Sequence, residues 1–359
     1  MPGGGRRYAV PGDVAVSRNT NGLTTLGLEL ACFSGFARLM ERSRGGAGVL
    51  LKFERVRPPR NGAFQPLRSR EITPEFLDRV IRRLKRWKYD IVSIDDACAR
   101  ARQPREGRRF VCLTFDGGYK DVVEHAYPVL TRHRVPFTVY LPTAFADGLG
   151  EAWWLALEQV VARHDRISLM IDEQQRHFAI AAIDEKRQAY YYLYSWMRTL
   201  PAPVLSLAIN DLCNRYSIDL AALSRATAMD WDDIAILTVD PLVTFGTATV
   251  NYSILANLKD SAALREISMG RAVALAALRR DSLHLAYPFG ERGSFKQRHA
   301  VMAAEAGFAS AVTSVAGVIR PDGRSDLHAL PRIAWDGRRR SMRALRVLLS
   351  GVMLDAARG

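Results

Sequence analysis

Short apolar runs alternate with longer amphipathic stretches along most of the chain. Apolar positions in segment 72–89 recur at helical spacing, with Thr73 as candidate N-cap and Pro74 in the first turn. The other predicted helices are 121–133, 262–280 and 295–306. The predicted strands are 49–56, 90–94, 110–115, 136–141, 242–250, 284–287 and 309–313. Because this alternation is typical of a parallel sheet, we predict an α/β fold, open or closed into a barrel.

Segment 150–240 breaks the alternation. It is rich in helix-forming and aromatic residues, and we expect a mainly helical insertion with one small hairpin near 167–180. Aromatic side chains suit the apolar faces of sugar rings. The helical spacing of Tyr190 and Tyr194 instead favours a second explanation, in which these rings fill the insertion's own core.

The two ends of the chain form separate predicted regions. Residues 1–45 form an N-terminal arm and an amphipathic helix, whose apolar stretch contains Glu29 and so does not resemble a signal peptide or a membrane span. We therefore expect a cytoplasmic protein. Residues 338–359 form a basic amphipathic helix that could touch an anionic membrane, although its short apolar face favours docking on the barrel.

The net charge of +14 attracts anionic partners in general. The basic residues are scattered over many segments, so we expect no nucleic-acid partner. The four cysteines (Cys32, Cys98, Cys112 and Cys213) form no CxxC pair, which argues against a zinc finger or a disulfide framework and fits a reducing compartment.

Candidate chemistry begins at Asp116, which ends the apolar run Leu-Thr-Phe-Asp at 113–116. Active sites of β/α folds are built at the carboxyl ends of the strands, so this carboxylate is a candidate functional group. Two further predicted strand ends, 245–252 and 286–290, carry polar or Pro-Gly loops. Each motif taken alone is weak.

Taken in order, the motifs resemble those of the polysaccharide deacetylases of the NodB-homology type. Thr-Phe-Asp-Gly-Gly at 114–118 is similar to that family's first motif, Thr-Phe-Asp-Asp-Gly. Segment 246–252 is similar to its second motif, Gly-x-His-Thr-x-x-His, and 286–290 to its aromatic-Pro-aromatic-Gly loop. Leu-Pro-Arg-Ile at 330–333 resembles a late strand of the bacterial subgroup. The resemblance spans about 49–337, and it implies a distorted (β/α) barrel over 46–337 with the insertion at about 150–240.

The resemblance implies roles for particular positions. In such enzymes the first Asp acts as general base, while the second Asp and two His hold a divalent metal such as zinc. Asp116 keeps the base position. The metal positions are Gly117, Ala248 and Tyr252, which are not metal ligands of the usual kind. An early His of the subgroup corresponds to Glu54. We therefore expect no bound cofactor.

Two functions follow. The first, implied by the resemblance, is hydrolysis of N-acetyl groups on oligo- or polysaccharides containing N-acetylglucosamine, with impaired or absent metal-dependent activity. The second is a catalytically inactive relative that binds a glycan or a partner protein. The expected pocket residues are Glu54, Tyr287, Pro288, Phe289 and Gly290. His328, close to where the family places a general acid, is a second catalytic candidate.

If the barrel is intact and only the metal ligands are missing, the changes Gly117→Asp, Ala248→His and Tyr252→His should create metal binding.

Overall fold

A curled parallel sheet forms the centre of the molecule in the computed structural model, which describes residues 46–104, 107–338 and 341–351. The strands of the described part are β1 (Gly48–Phe53), β2 (Arg55–Val56), β3 (Glu71–Ile72), β4 (Asp90–Val92), β5 (Phe110–Asp116), β6 (Phe137–Leu141), β7 (Arg166–Ile171), β8 (Gln174–Ala179), β9 (Val243–Thr247), β10 (His284–Ala286), β11 (Ser310–Val312) and β12 (Ile333–Ala334). The α-helices are α1 (Pro74–Arg86), α2 (Ile94–Arg102), α3 (Tyr127–His133), α4 (Thr143–Ala146), α5 (Trp153–Arg163), α6 (Ile183–Met197), α7 (Ala202–Arg215), α8 (Leu220–Thr227), α9 (Trp231–Thr238), α10 (Asp260–Leu278), α11 (Gln297–Glu305) and α12 (Met342–Leu349).

The main sheet has the order β11-β10-β9-β6-β5-β1-β12, with β4 also paired to β5, and every pairing is parallel. An isolated parallel bridge joins Val312, at the end of β11, to Leu330, just before β12. The two ends of the strand order therefore approach each other, and the sheet is a distorted (β/α) barrel, as predicted.

Strand alternation decides which side chains enter the barrel. Along β1, Val49, Leu51 and Phe53 belong to the apolar layer that packs under α1, whereas Leu50 belongs to the inner cluster. Because successive side chains of a strand point to opposite faces, Lys52 lies on the inner side with Leu50. The same parity places Asp116 on the inner side of β5.

Most predicted elements are confirmed, with shorter bounds. Thr73 caps α1 by accepting a hydrogen bond from the Phe76 backbone N–H at 3.2 Å. The predicted strand 49–56 is divided at Glu54 into β1 and β2. The predicted helix 121–133 begins with a π-helical turn, Val122–Ala126. Helix α2, with Ser93 as its cap, was not predicted because its nine residues contain few large apolar side chains.

The insertion lies between β6 and β9, two strands that are neighbours in the sheet. It contains α5 to α9 and the predicted hairpin, formed by β7 and β8. Tyr190 and Tyr194 are buried in the same cluster as Trp153 and Trp154. The aromatic residues therefore fill a core, as in the second of the two explanations above, but this core is shared with the barrel and is not the insertion's own.

The C-terminal helix α12 docks on the barrel. Leu345, Val347 and Leu349 are buried among residues of the outer apolar layer, and Arg346 lies over the Trp87 ring at 5.2 Å. The described apolar face of this helix is thus packed against the barrel. The predicted arm and helix in 1–45, and residues 352–359, lie outside the described residues. Within the described ranges, no helix has the length and apolar character needed to cross a membrane.

Candidate active site at the carboxyl end of the barrel

Asp116 is held inside the barrel by two cations. It ends β5 with 1% of its surface exposed, and both carboxylate oxygens accept hydrogen bonds from the Arg332 guanidinium at 2.6 Å. The Lys52 ammonium lies 3.3 Å from one of the same oxygens. Burial by itself would raise the pKa of Asp116, but Arg332 and Lys52 outweigh it and hold the pKa below its usual value. Asp116 is therefore a paired carboxylate.

Lys52 connects Asp116 to Glu54. Its ammonium lies 3.1 Å from a Glu54 oxygen and donates a 2.9 Å hydrogen bond to the Ser314 hydroxyl. Glu54 also lies 3.5 Å from Arg70, whose guanidinium donates to the Tyr194 hydroxyl. Burial raises the pKa of Glu54, and the neighbouring Arg70 and Lys52 lower it by more, so it too remains ionised near neutral pH. We call Lys52, Glu54, Arg70, Asp116 and Arg332 the ion network.

The ion network was only partly foreseen. Asp116 and Glu54 were predicted as site residues, but their cationic partners were not. A signal was present in the sequence, because Lys52 is a charged residue inside an otherwise apolar strand, where an unpaired charge is costly. Arg332 lies in the Leu-Pro-Arg-Ile motif, although its separation of 216 residues from Asp116 hides the contact.

The residues at the three family metal positions do not fit a metal ion. Gly117 has no side-chain donor, and Ala248 is fully buried with only a methyl group to offer. Burial raises the pKa of the Tyr252 phenol well above its usual value, so it stays protonated. Among residues 46–104, 107–338 and 341–351, no group of three or more His, Cys, Asp or Glu is placed to hold a metal. The two nearby carboxylates already face cations, which would repel another positive charge.

Aromatic rings occupy the space next to these positions. The Tyr252 ring packs on Phe289 and Trp154, with ring centroids 5.2 and 5.7 Å apart. Trp153 lies 6.3 Å from Phe289 and 5.1 Å from Tyr194. The indole N–H of Trp154 donates to Tyr119 at 3.0 Å, which fixes the orientation of the cluster. The second-motif tyrosine is therefore part of a packed apolar wall.

The third motif is divided between two environments. Phe289 lies beside the ion network, and its carbonyl accepts hydrogen bonds from Ser314 at 2.7 Å and Lys52 at 3.5 Å. Tyr287 was expected in the same pocket. It is instead fully buried on Phe295, with its hydroxyl donating to the His328 carbonyl at 2.7 Å. The chain turns between Tyr287 and Phe289, so the two rings face different clusters.

Neither Pro288 nor Gly290 contributes a side chain to the walls of the described cavities. Gly290 is required for close packing, because a Cβ there would lie 2.7 Å from the Ser314 backbone nitrogen. His328 is also not beside Asp116 in any described contact. Its ring nitrogen Nε2 bonds the Phe308 carbonyl at 2.8 Å, which gives it a structural position in place of the predicted catalytic one.

Two cavities flank Phe289. The first, of about 250 Å³, is lined by Lys52, Glu54 and Arg70 together with Trp335 and Ser314. The second, of about 580 Å³, lies between the insertion and residues 251–258. Because Lys52 and Glu54 line the first cavity, a ligand that entered it would contact the ion network directly. These two spaces are called the first cavity and the second cavity below.

Comparison with known proteins agrees with this architecture. The family model described as polysaccharide deacetylase matches residues 103–177, a segment that contains Asp116. The Streptococcus pyogenes deacetylase PplD, solved with acetate, is 14% identical, with a TM-score of 0.55, over 85% of this chain and 97% of that one. IcaB from Ammonifex degensii is 15% identical, with a TM-score of 0.51, over 85% and 98%.

A de-N-acetylase from Aggregatibacter actinomycetemcomitans is 12% identical, with a TM-score of 0.53, over 84% of this chain and 98% of that chain. No curated protein matches this sequence. At these identities the solved structures establish a shared fold, and the chemistry must be argued from the residues present.

Proposed function

We propose that this protein binds an N-acetylated polysaccharide without metal-dependent hydrolysis. The proposal starts from its polysaccharide deacetylase fold and from its match to that family. The observation that carries this proposal is the ion network. At the barrel end where the resembled enzymes would hold a metal ion, this chain places the Lys52 ammonium between Asp116 and Glu54.

The state of Asp116 supports the loss of hydrolysis. A general base needs a free oxygen and a pKa near the working pH. Both oxygens of Asp116 are engaged by Arg332, and the pKa is lowered, so the carboxylate is a weak base. Freeing it would leave the Arg332 charge buried without a partner, which is costly.

The first cavity supports saccharide binding. Its wall combines hydrogen-bonding groups from Glu54, Arg70 and Ser69 with the aromatic residues Phe289 and Trp335. Sugars present hydroxyl groups at their edges and apolar patches on their ring faces, and such a mixed wall suits both. Its volume of about 250 Å³ suits one sugar unit. We propose N-acetylglucosamine as that unit by analogy with the de-N-acetylases of the same fold.

A second candidate function is slow de-N-acetylation of the same polysaccharide. It is favoured by the position of Asp116 at the end of β5, which the family match includes.

We also propose a cytoplasmic location, supported by the three described cysteines, Cys98, Cys112 and Cys213, which are buried thiols without disulfides.

The first experiment measures metal content, acetate release and binding together. The untagged full chain is incubated with a pentamer of N-acetylglucosamine, with and without added zinc or cobalt, and binding is followed by calorimetry. We expect binding, much less than one equivalent of metal, and no metal-dependent acetate release. Glu54→Gln should weaken binding several-fold. Asp184→Asn, an exposed acid on α6, is the matched control.

The outcomes separate the two functions. One equivalent of tightly held metal, with acetate release that a chelator abolishes, would establish the hydrolase and refute the non-hydrolytic proposal. Metal-independent acetate release that is lost in Asp116→Asn would support the second candidate. Absence of both binding and release would refute both functions.

A further inference from the structure

The second cavity extends beyond the motifs found in the sequence, although Asn251, Tyr252 and Phe289 of those motifs lie on its wall. It is more than twice as large as the first, and its walls come from the start of α5, the end of α6, the start of α7, residues 251–258 and the start of α10. Its lining is mainly apolar, with large side chains from Trp153, Met197, Leu205 and Ile254. Cavities of this size and character accommodate small organic molecules.

Several of the polar groups on its wall are already paired within the protein. The Glu151 carboxylate accepts hydrogen bonds from Ser206 and Asn210, both at 2.9 Å. The Glu266 carboxylate accepts the backbone N–H of Asn251 at 2.9 Å. Arg198 bonds Glu291 at 2.8 Å. These groups need no polar ligand, so most of the surface left for a ligand to cover is apolar, with Arg265 and Ser253 as further polar side chains on the wall.

Exposed leucines continue this apolar surface outward. Leu149 lines the cavity and is 75% exposed. Leu207 is 73% exposed and lies one helical turn after Pro203, a lining residue, on the same face of α7. Val204 lies next to the lining residue Pro203 in the first turn of α7 and is 46% exposed. Apolar side chains in water at a cavity mouth are typical of a binding surface.

The two cavities share one wall. Phe289 lines both, and Arg198 of the second cavity is ion-paired with Glu291 of the first. A ligand that passes Phe289 would therefore place one part against the ion network and another against the apolar lining. A saccharide suits the first environment, and a hydrocarbon chain suits the second.

We propose that the physiological ligand is a saccharide carried on an apolar chain, with its sugar in the first cavity and its chain in the second. This inference rests on the proposed function and adds the class of substrate. It assigns Leu149, Leu205 and Leu207 to recognition of the chain, and Phe289 to the boundary between the two parts of the ligand.

The test compares two glycosides of N-acetylglucosamine, one octyl and one methyl, titrated into the full chain by calorimetry. The octyl glycoside is kept below its micelle-forming concentration. We expect it to bind at least tenfold more tightly than the methyl glycoside. In the double variant Leu149→Asp, Leu207→Asp, this ratio should fall below threefold. Both positions are exposed, so the variant should fold normally.

The matched control is Val239→Asp, Leu275→Asp, which changes two exposed apolar residues that line neither cavity. Its ratio should equal that of the parent. Equal affinity of the parent for both glycosides would overturn this inference and leave the proposed saccharide site standing. An unchanged ratio in the cavity-mouth variant would also overturn it. If neither glycoside binds, the proposed function fails, and this inference fails with it.

Discussion

Each charged side chain of the ion network is stabilised by its oppositely charged partner. Arg332 is fully buried and bonds both oxygens of Asp116. Removing one partner of a buried ion pair leaves an uncompensated charge and typically costs about 3–5 kcal/mol. We therefore expect Arg332→Met to lower the free energy of unfolding by about that amount in a urea titration. Arg187→Met, which breaks the exposed pair with Asp184, should cost less than about 1 kcal/mol.

A double variant separates charge from packing. In Arg332→Met with Asp116→Leu, the two opposite charges are removed together, so the loss should be smaller than the sum of the single losses. Additive losses would show that Arg332 stabilises the barrel by its packing and that the ion pair itself contributes little.

The sequence predicted which residues belong to the site better than it predicted what surrounds each of them. Asp116 was predicted because a carboxylate at the end of an apolar strand is visible in the sequence. Tyr287 was placed wrongly because a loop of alternating aromatic residues does not show where its backbone turns. Phe289 has a φ of +61°, and this turn separates the two rings. Arg332 was missed because its partner lies on a distant strand.

Among the elements, the loop after β5 restricts any rebuilding of a metal site. Gly117 has a φ of +91°, and a Cβ there would lie 2.6 Å from the Tyr119 ring. Tyr119 cannot move freely, because it accepts a hydrogen bond from Trp154 and lies under Arg55 at 4.5 Å. The sequence alone suggested that three substitutions would restore metal binding. The structure indicates that the first of them is strained by backbone and by contact.

We therefore expect Gly117→Ala to destabilise the protein by more than Gly323→Ala. Gly323 has a φ of +66° but no atom near its would-be Cβ, so it reports the cost of backbone strain alone. That cost is about 1–2 kcal/mol. Thermal unfolding of both variants measures the difference. Equal losses of stability would show that the Tyr119 ring can move away from a Cβ at position 117 at no cost in stability. The triple change Gly117→Asp, Ala248→His, Tyr252→His would then be a realistic route to zinc binding.

The strands and helices themselves were largely predictable, because apolar periodicity can be recognised in the sequence without knowledge of the fold. The break at Glu54 was not predicted, since β1 and β2 form one continuous apolar-rich run in the sequence. The π-helical turn at Val122–Ala126 was also not predicted, because such a turn is a single-turn interruption of an α-helix and five residues are too few to show a change of period. At the break between β1 and β2, Glu54 pairs with Lys52 and Arg55 pairs with Asp121, contacts that the sequence does not reveal.

For the whole molecule, the buried ionisable groups predict loss of stability in acid. Asp116 and Glu54 have lowered pKa values, so they stabilise the fold above their unfolded pKa values and cease to do so as the pH falls. His299 is fully buried, and burial lowers its pKa from 6.5 to about 4. Between these values the unfolded chain binds a proton at His299 that the folded chain does not, so stability falls on acidification there as well.

His299→Asn isolates the histidine contribution. Asn can still accept the Lys296 backbone N–H that His299 accepts at 3.0 Å, but it does not titrate. Between pH 8 and pH 5 the parent should lose about 2 kcal/mol more unfolding free energy than the variant. Chemical unfolding at both pH values measures this. Parallel pH profiles would mean that the pKa of His299 is the same in the folded and the unfolded protein.

The side-chain cation beside Asp116 and Glu54 also bears on how the protein is matured. An ammonium group from Lys52 is present in every chain that folds, in fixed stoichiometry with Asp116 and Glu54. A zinc-dependent relative must instead obtain its ion from the surroundings and exclude metals that bind more strongly. In the binding role proposed above, this protein is complete on folding. It requires no loading step and should keep its affinity where free zinc is scarce.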